Sequence, residues 1–117
     1  MTPFGEKMRA LRKRDGVTQK EMAAAIGISS AYLSALENGH RGRPSWYLTQ
    51  HIITYFNLIW DEAEEIQRLA QISHPRIVID TAGLSPHATE LANKLAGSIA
   101  HMDDEKIQSL LDQVSKE

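Results

Sequence analysis

The stretch that most constrains this chain is Thr18 to Gly39, TQKEMAAAIGISSAYLSALENG, which carries two helix starts and two helix stops in twenty-two residues. Thr18 followed three residues later by Glu21 fits a capping box, in which the threonine hydroxyl accepts from a backbone N–H and the glutamate reaches back. Met22, Ala23 and Ile26 repeat at helical spacing, and Gly27 supplies the left-handed residue that ends the helix. Ser29 can cap a second helix whose inner face carries Tyr32, Leu33 and Leu36. The segment therefore predicts two short helices across a tight turn.

Such a pair can place its second helix in the major groove of DNA, so the segment carries a functional expectation as well as a structural one. The formal net charge of −2 runs against it. Split after Arg43, however, residues 1–43 hold eight Lys/Arg against four acids, a net +4, and the remaining 74 residues hold five against eleven, a net −6. Phosphate affinity depends on the local basic face, where counterions are displaced. Half-chain imbalances of this size are common; this one gains weight because the basic half contains the helix pair.

The length of 117 residues, 42% hydrophobic and 24% charged, predicts one globular domain or one domain with an oligomerisation appendage. No run approaches a membrane span, the first residues lack the apolar core of a signal peptide, and a cytoplasmic location is expected. With no cysteine there are no disulfides, thiolate nucleophiles or cysteine-based zinc sites.

Elsewhere the same punctuation recurs. Thr2-Pro3 is a cap followed by proline at the first helical position, with Phe4, Met8 and Leu11 as one buried stripe to about Asp15-Gly16. Gly39 to Pro44 is a loop rich in glycine and arginine. Ser45 can cap a fourth helix through about Phe56, with Trp46, Leu48, Ile52, Ile53 and Phe56 as candidate core. Asp61 can cap a fifth, with Ala63, Ile66, Leu69 and Ala70 facing inward. His74-Pro75 breaks the pattern, and RIVIDT (76–81) reads as extended, either paired with another copy or a linker. Two amphipathic helices follow, at about 86–101 and 104–115, with Leu91, Leu95 and Ile99, then Ile107, Leu110, Leu111 and Val114 on their apolar faces. They need the first domain or a second chain to bury those stripes.

From Arg12 to Pro44 the chain resembles the Xre or lambda-repressor-like helix-turn-helix regulators. The likeness rests on Thr18-Gln19, Glu21, Ala23, Gly27, Ser29, Leu33-Ser34, Leu36 to Gly39 and Arg43-Pro44. It implies an all-α fold: a five-helix DNA-binding domain over 1–73, then an appendage over 74–117. The resemblance also implies residue roles. Thr18, Gln19, Tyr32, Asn38, His40, Arg41 and Arg43 fall where phosphate contacts are expected, and Ser29, Ser30, Ala31, Ser34 and Ala35 where bases are read. Arg12 and Glu37 fall where the family often has a buried ion pair; alternatively Arg12 is a solvated neighbour of Lys13 and Arg14. Such a pair would specify geometry more than add net stability.

The reading face departs from the family, whose members often carry Gln, Arg or Lys at positions such as 30, 31 and 35. Serine is an ambiguous reader and alanine can only meet a thymine methyl, so direct readout is expected to be weak per residue. Close approach, DNA shape or the His40-Arg41 loop would then carry more of the discrimination. Alternatively, the small residues are fillers in a helix that no longer binds DNA. Tyr32 is expected to be partly core with its hydroxyl at the rim. Trp46, Tyr47, Phe56 and Trp60 are expected in the core rather than on a base-stacking platform.

Catalysis has little support: the histidines at 40, 51, 74, 87 and 101 are scattered, and the acidic clusters read as helix N-termini. No enzyme activity, metal or cofactor is expected. The leading expectation is a dimeric repressor of double-stranded DNA reading an inverted repeat, with reading helices roughly 34 Å apart. Ile77, Val78 and Ile79 with the apolar faces of the last two helices would form the homodimer contact. Two alternatives are an antitoxin whose C-terminal region masks a toxin, and a pure protein-interaction module.

Overall fold

The computed structural model describes residues 1–116. The chain divides into two units, Met1–Ile77 and Val78–Glu117. The first holds α1 (Pro3–Asp15), α2 (Gln19–Ile26), α3 (Ser30–Glu37), α4 (Trp46–Tyr55) and α5 (Asp61–Gln71); the second holds α6 (Pro86–Ser98), a 3₁₀ turn (Ile99–His101) and α7 (Asp104–Ser115). Every regular element among the described residues is helical.

Local chemistry sets most of these boundaries. Thr2, Thr18, Ser29, Ser45, Ser85 and Asp103 each stand just before a helix and accept a backbone N–H from the residue three further on. Gly16 (φ 66°) and Gly27 (φ 81°) end α1 and α2 in the left-handed region. The core of the first unit draws on all five helices: Phe4, Met8 and Leu11, then Met22 and Ile26, Leu33 and Leu36, Ile52 and Phe56, and Ile66. α1 packs on α3 and α5, α2 on α3 and α4, and α4 on α5. α3 is thereby held from behind by α1 and α2 while its outward face is left open.

Three expectations change. Asp61 is not a cap but the first residue of α5; Trp60 stands at the cap position, at φ 52°, without a side-chain hydrogen bond. Trp46, Tyr47 and Trp60 are not core, at 67, 75 and 81% exposed. The buried stripe of α4 is Leu48, Thr49 and Ile52, which turns its first two residues outward, where they stack edge-on at 5.4 Å. Tyr32 also lies outside the core, being 41% exposed, and the inner face of α3 is Leu33, Leu36 and Glu37. Residues 76–81 form neither helix nor strand ladder within one copy, as the linker alternative has it, since a lone strand has nothing to pair with.

In the second unit no described residue is buried. Leu91, Ile99, Leu111 and Val114 are exposed, and Leu95, Ile107 and Leu110 are only half-buried.

Candidate nucleic-acid interface

The interface is built around α3. Its first turn is set by Ser29, whose hydroxyl accepts from the N–H of Tyr32 at 3.0 Å. In front of it, α2 is fixed by a complete capping box: the N–H of Glu21 donates to Thr18 Oγ1 at 3.0 Å and the N–H of Thr18 to Glu21 Oε1 at 3.1 Å. The Thr18 backbone hydrogen bond, with its side chain, holds the Glu21 carboxyl below the usual range. The far end of α3 is closed by Asn38, whose Nδ2 donates to the carbonyl of Ser34 at 2.9 Å.

Glu37, buried at the last turn of α3, collects the rest of the chain. The guanidinium of Arg12 donates to both its carboxylate oxygens, at 2.5 and 2.9 Å, and Nη1 also lies 3.5 Å from Met22 Sδ. Gln19 Nε2 donates to Glu37 Oε1 at 3.2 Å. The Glu37 carbonyl accepts from Thr2 N at 3.0 Å and from Thr2 Oγ1 at 3.3 Å. Gly5 is what lets α1 come this close, since a Cβ there would sit 2.1 Å from that carbonyl oxygen. A buried, bidentate and further hydrogen-bonded carboxylate of this kind has one geometry, and α3 inherits it.

The outward side of α3 presents small groups. Ser29, Ser30, Ala31 and Asn38 are exposed, while Ser34 and Ala35 are half-buried. Tyr32 borders a shallow groove with Ile28, Ser29, Ser45 and Leu48. Thr18 is exposed, and the half-buried Gln19 amide uses one N–H on Glu37 and retains another. His40 and Arg41 are exposed in the loop after α3. Arg43 is also exposed but leans back, Nη1 donating to Gln71 Oε1 on α5 at 2.6 Å.

The long-range contacts of Thr2, Gly5 and Ser73 escape a reading of the sequence, although Thr2 is legible as the cap of α1. Ser73 is buried, accepts from the N–H of Phe4 at 2.9 Å and donates to the carbonyl of Leu69 at 2.5 Å, which ties the end of α5 to the start of α1. Only Gly5 leaves a signal, a glycine inside a helical pattern, where close packing is the usual reason. Among the described residues no three His, Asp or Glu side chains are grouped to hold a metal ion. No helix is long and apolar enough to cross a membrane.

Residues 3–72 match the family model described as a helix-turn-helix domain. Three proteins of Bacillus subtilis (strain 168) are similar to parts of the chain. The uncharacterized HTH-type transcriptional regulator RghRB is 48% identical over 44 residues, covering 38% of this chain and 32% of that protein. The HTH-type transcriptional repressor RghR is 46% identical over 44 residues, covering 38 and 33%. The uncharacterized HTH-type transcriptional regulator YazB is 39% identical over 59 residues, 50% of this chain and 84% of its own length. The chain thus spans about a third of the length of the first two relatives. A SinR protein/SinI protein complex is similar at a TM-score of 0.46 and 18% identity, covering 96% of this chain and 94% of that one.

Proposed function

The chain belongs to the helix-turn-helix domain family, and from that premise we propose that it is a sequence-specific regulator that binds double-stranded DNA and acts as a dimeric repressor. The observation that carries this reading is the mounting of α3. Its inner face and last turn are fixed by Leu33, Leu36 and the Arg12–Glu37–Gln19 cluster, and its outer face meets solvent. A helix held this way can enter a major groove without reorganising. RghR, one of the relatives, is named a repressor.

In this reading Ser29, Ser30 and Ser34 offer hydroxyls to base edges, and the methyls of Ala31 and Ala35 meet thymine methyls. The free amide N–H of Gln19, Thr18, Asn38, Tyr32, His40, Arg41 and Arg43 contact phosphates and set the register. Small side chains permit the helix backbone to approach the groove floor, so shape readout takes a larger share of the discrimination.

The exposed apolar faces of α6 and α7, with Ile77 to Ile79, support dimerisation through the second unit. A two-fold dimer would read an inverted repeat with half-site centres about 34 Å apart. Titration with random duplex DNA across salt concentrations tests the core of the reading. Affinity must be measurable at low salt and must fall as salt rises, and negligible or salt-independent affinity would end it. Selection from a random pool then reports half-site sequence and spacing. A different protein co-purifying in place of a second copy would turn the C-terminal assignment toward the antitoxin alternative.

A further inference from the structure

At the C-terminal end of α3, within the first unit, two segments distant in sequence face one another. The loop Gly39–Gly42 forms one wall and His74–Arg76 the other, around an open cleft of about 440 Å³. Its walls carry His40, Arg41, His74 and Arg76 and no carboxylate. Neither Arg41 nor Arg76 has an ion-pair partner among the described residues, and in this they resemble Arg9 on α1; what sets them apart is that both line one cleft.

The cleft is arranged, not merely basic. The N–H of Arg76 donates to His74 Nδ1 at 3.1 Å. A ring nitrogen that accepts carries no proton in the neutral imidazole, so Nε2 bears it and is a donor. That nitrogen faces Gly42, where a Cβ would lie 3.6 Å away, so the missing side chain leaves the donor open. A Cβ at Gly39 would meet Pro75 Cβ at 3.6 Å, which shows how closely the loop is seated on the second wall. Just upstream, the two hydrogen bonds of buried Ser73 to α1 and α5 fix where that wall begins. Two arginines and an imidazole N–H lining one cleft without an acid suit a tetrahedral anion.

We propose that this cleft is a phosphate-binding site, and that it takes a DNA backbone phosphate just beyond the bases α3 reads. The source of the phosphate rests on the DNA-binding reading above; the chemistry of the cleft does not. Arg41 lies three Cα–Cα steps beyond Asn38, a reach of at most about 11 Å, so the cleft would border the groove edge that the end of α3 follows. His74 and Arg76 would thereby extend the footprint from the reading helix to the segment leading into the second unit.

The test uses the full chain with His74→Gln/Arg76→Gln, and separately Gly42→Val, which covers the donor while keeping both charged walls. Against random duplex DNA, each is expected to weaken binding uniformly, and the double variant to lower the slope of log affinity on log salt by about one. Arg68→Gln, which removes a charge on α5, should leave the slope unchanged. If the slopes are unchanged but inorganic phosphate shifts the Gly39 and Gly42 amide resonances of the parent and not of the variants, the site stands and the DNA source is overturned. If neither readout moves, the site itself is overturned. Should the parent show no salt-dependent DNA affinity, the functional reading fails, and the phosphate titration alone decides the cleft.

Discussion

Glu37 joins three stretches of chain that are far apart in sequence. Its carboxylate takes Arg12 from α1 and Gln19 from α2, and its carbonyl takes Thr2. Two predictions belong to this residue. Gly5→Ala should destabilise the fold by about 1–3 kcal/mol, because the added methyl would need the space of the Glu37 carbonyl and backbone cannot yield as a side chain can. Alanine is the better helix former by about 1 kcal/mol, so a rise in the denaturation midpoint would show that the contact is not tight. The ion pair makes the second prediction. Arg12→Met alone strands a buried carboxylate and should cost about 3–5 kcal/mol, whereas Arg12→Met with Glu37→Leu should recover most of that stability. The double variant should still bind DNA poorly, since Gln19 and the end of α3 lose their common anchor. Equal affinity in a stable double variant would show that the pair does not position the reading helix.

At the scale of elements, legibility in the sequence follows the range of the cause. Caps are short-range: Thr18 and Glu21 bond to each other, and Ser29 and Ser45 bond three residues ahead, so these helix starts could be read directly. The α5 start could not, because it is set by the turn out of α4 and not by a capping side chain. Leu58 is buried, and the N–H of Glu62 donates to the carbonyl of Ile59 at 3.2 Å, which leaves Trp60 at φ 52° and ψ −122°. Those angles suit glycine in a II′-type turn. The same range argument explains why the contacts of Thr2, Gly5 and Ser73 were invisible: their partners lie 35, 32 and 69 residues away. The exposure of Trp46, Tyr47 and Trp60 has another cause, as hydrophobicity alone does not say which side of a short helix faces the core. Trp60→Gly should therefore stabilise the unit by about 1 kcal/mol, the relief of the left-handed strain exceeding the entropy that glycine adds to the unfolded chain. Because the indole is 81% exposed, little packing is lost, and a lower melting temperature would mean that it makes contacts the burial does not reveal.

At the scale of the molecule, the two units differ in what they can do alone. Every buried hydrophobic residue lies between Phe4 and Ala70, so the first unit has what it needs to fold without residues after Ile77. None of the described residues of the second unit is buried in a single copy, and Leu91, Ile99, Leu111 and Val114 are left open. Helices with exposed apolar stripes gain stability when a second surface covers them, at about 25 cal/mol per Å² removed from water. A chain ending at Ile77 should accordingly keep the thermal transition of the first unit and lose self-association in sedimentation. It retains the His74–Arg76 wall, so its affinity for random DNA should persist per protomer. What it should lose is the gain from linking two reading helices, since a second half-site then binds as an independent molecule and not at the high effective concentration of a dimer. Leu111→Asp/Val114→Asp in the full chain should reproduce that loss, because two buried carboxylates would oppose the interface. If either protein remains dimeric and binds an inverted repeat as tightly as the parent, the contact between protomers lies in the first unit, and the exposed faces of α6 and α7 serve another partner.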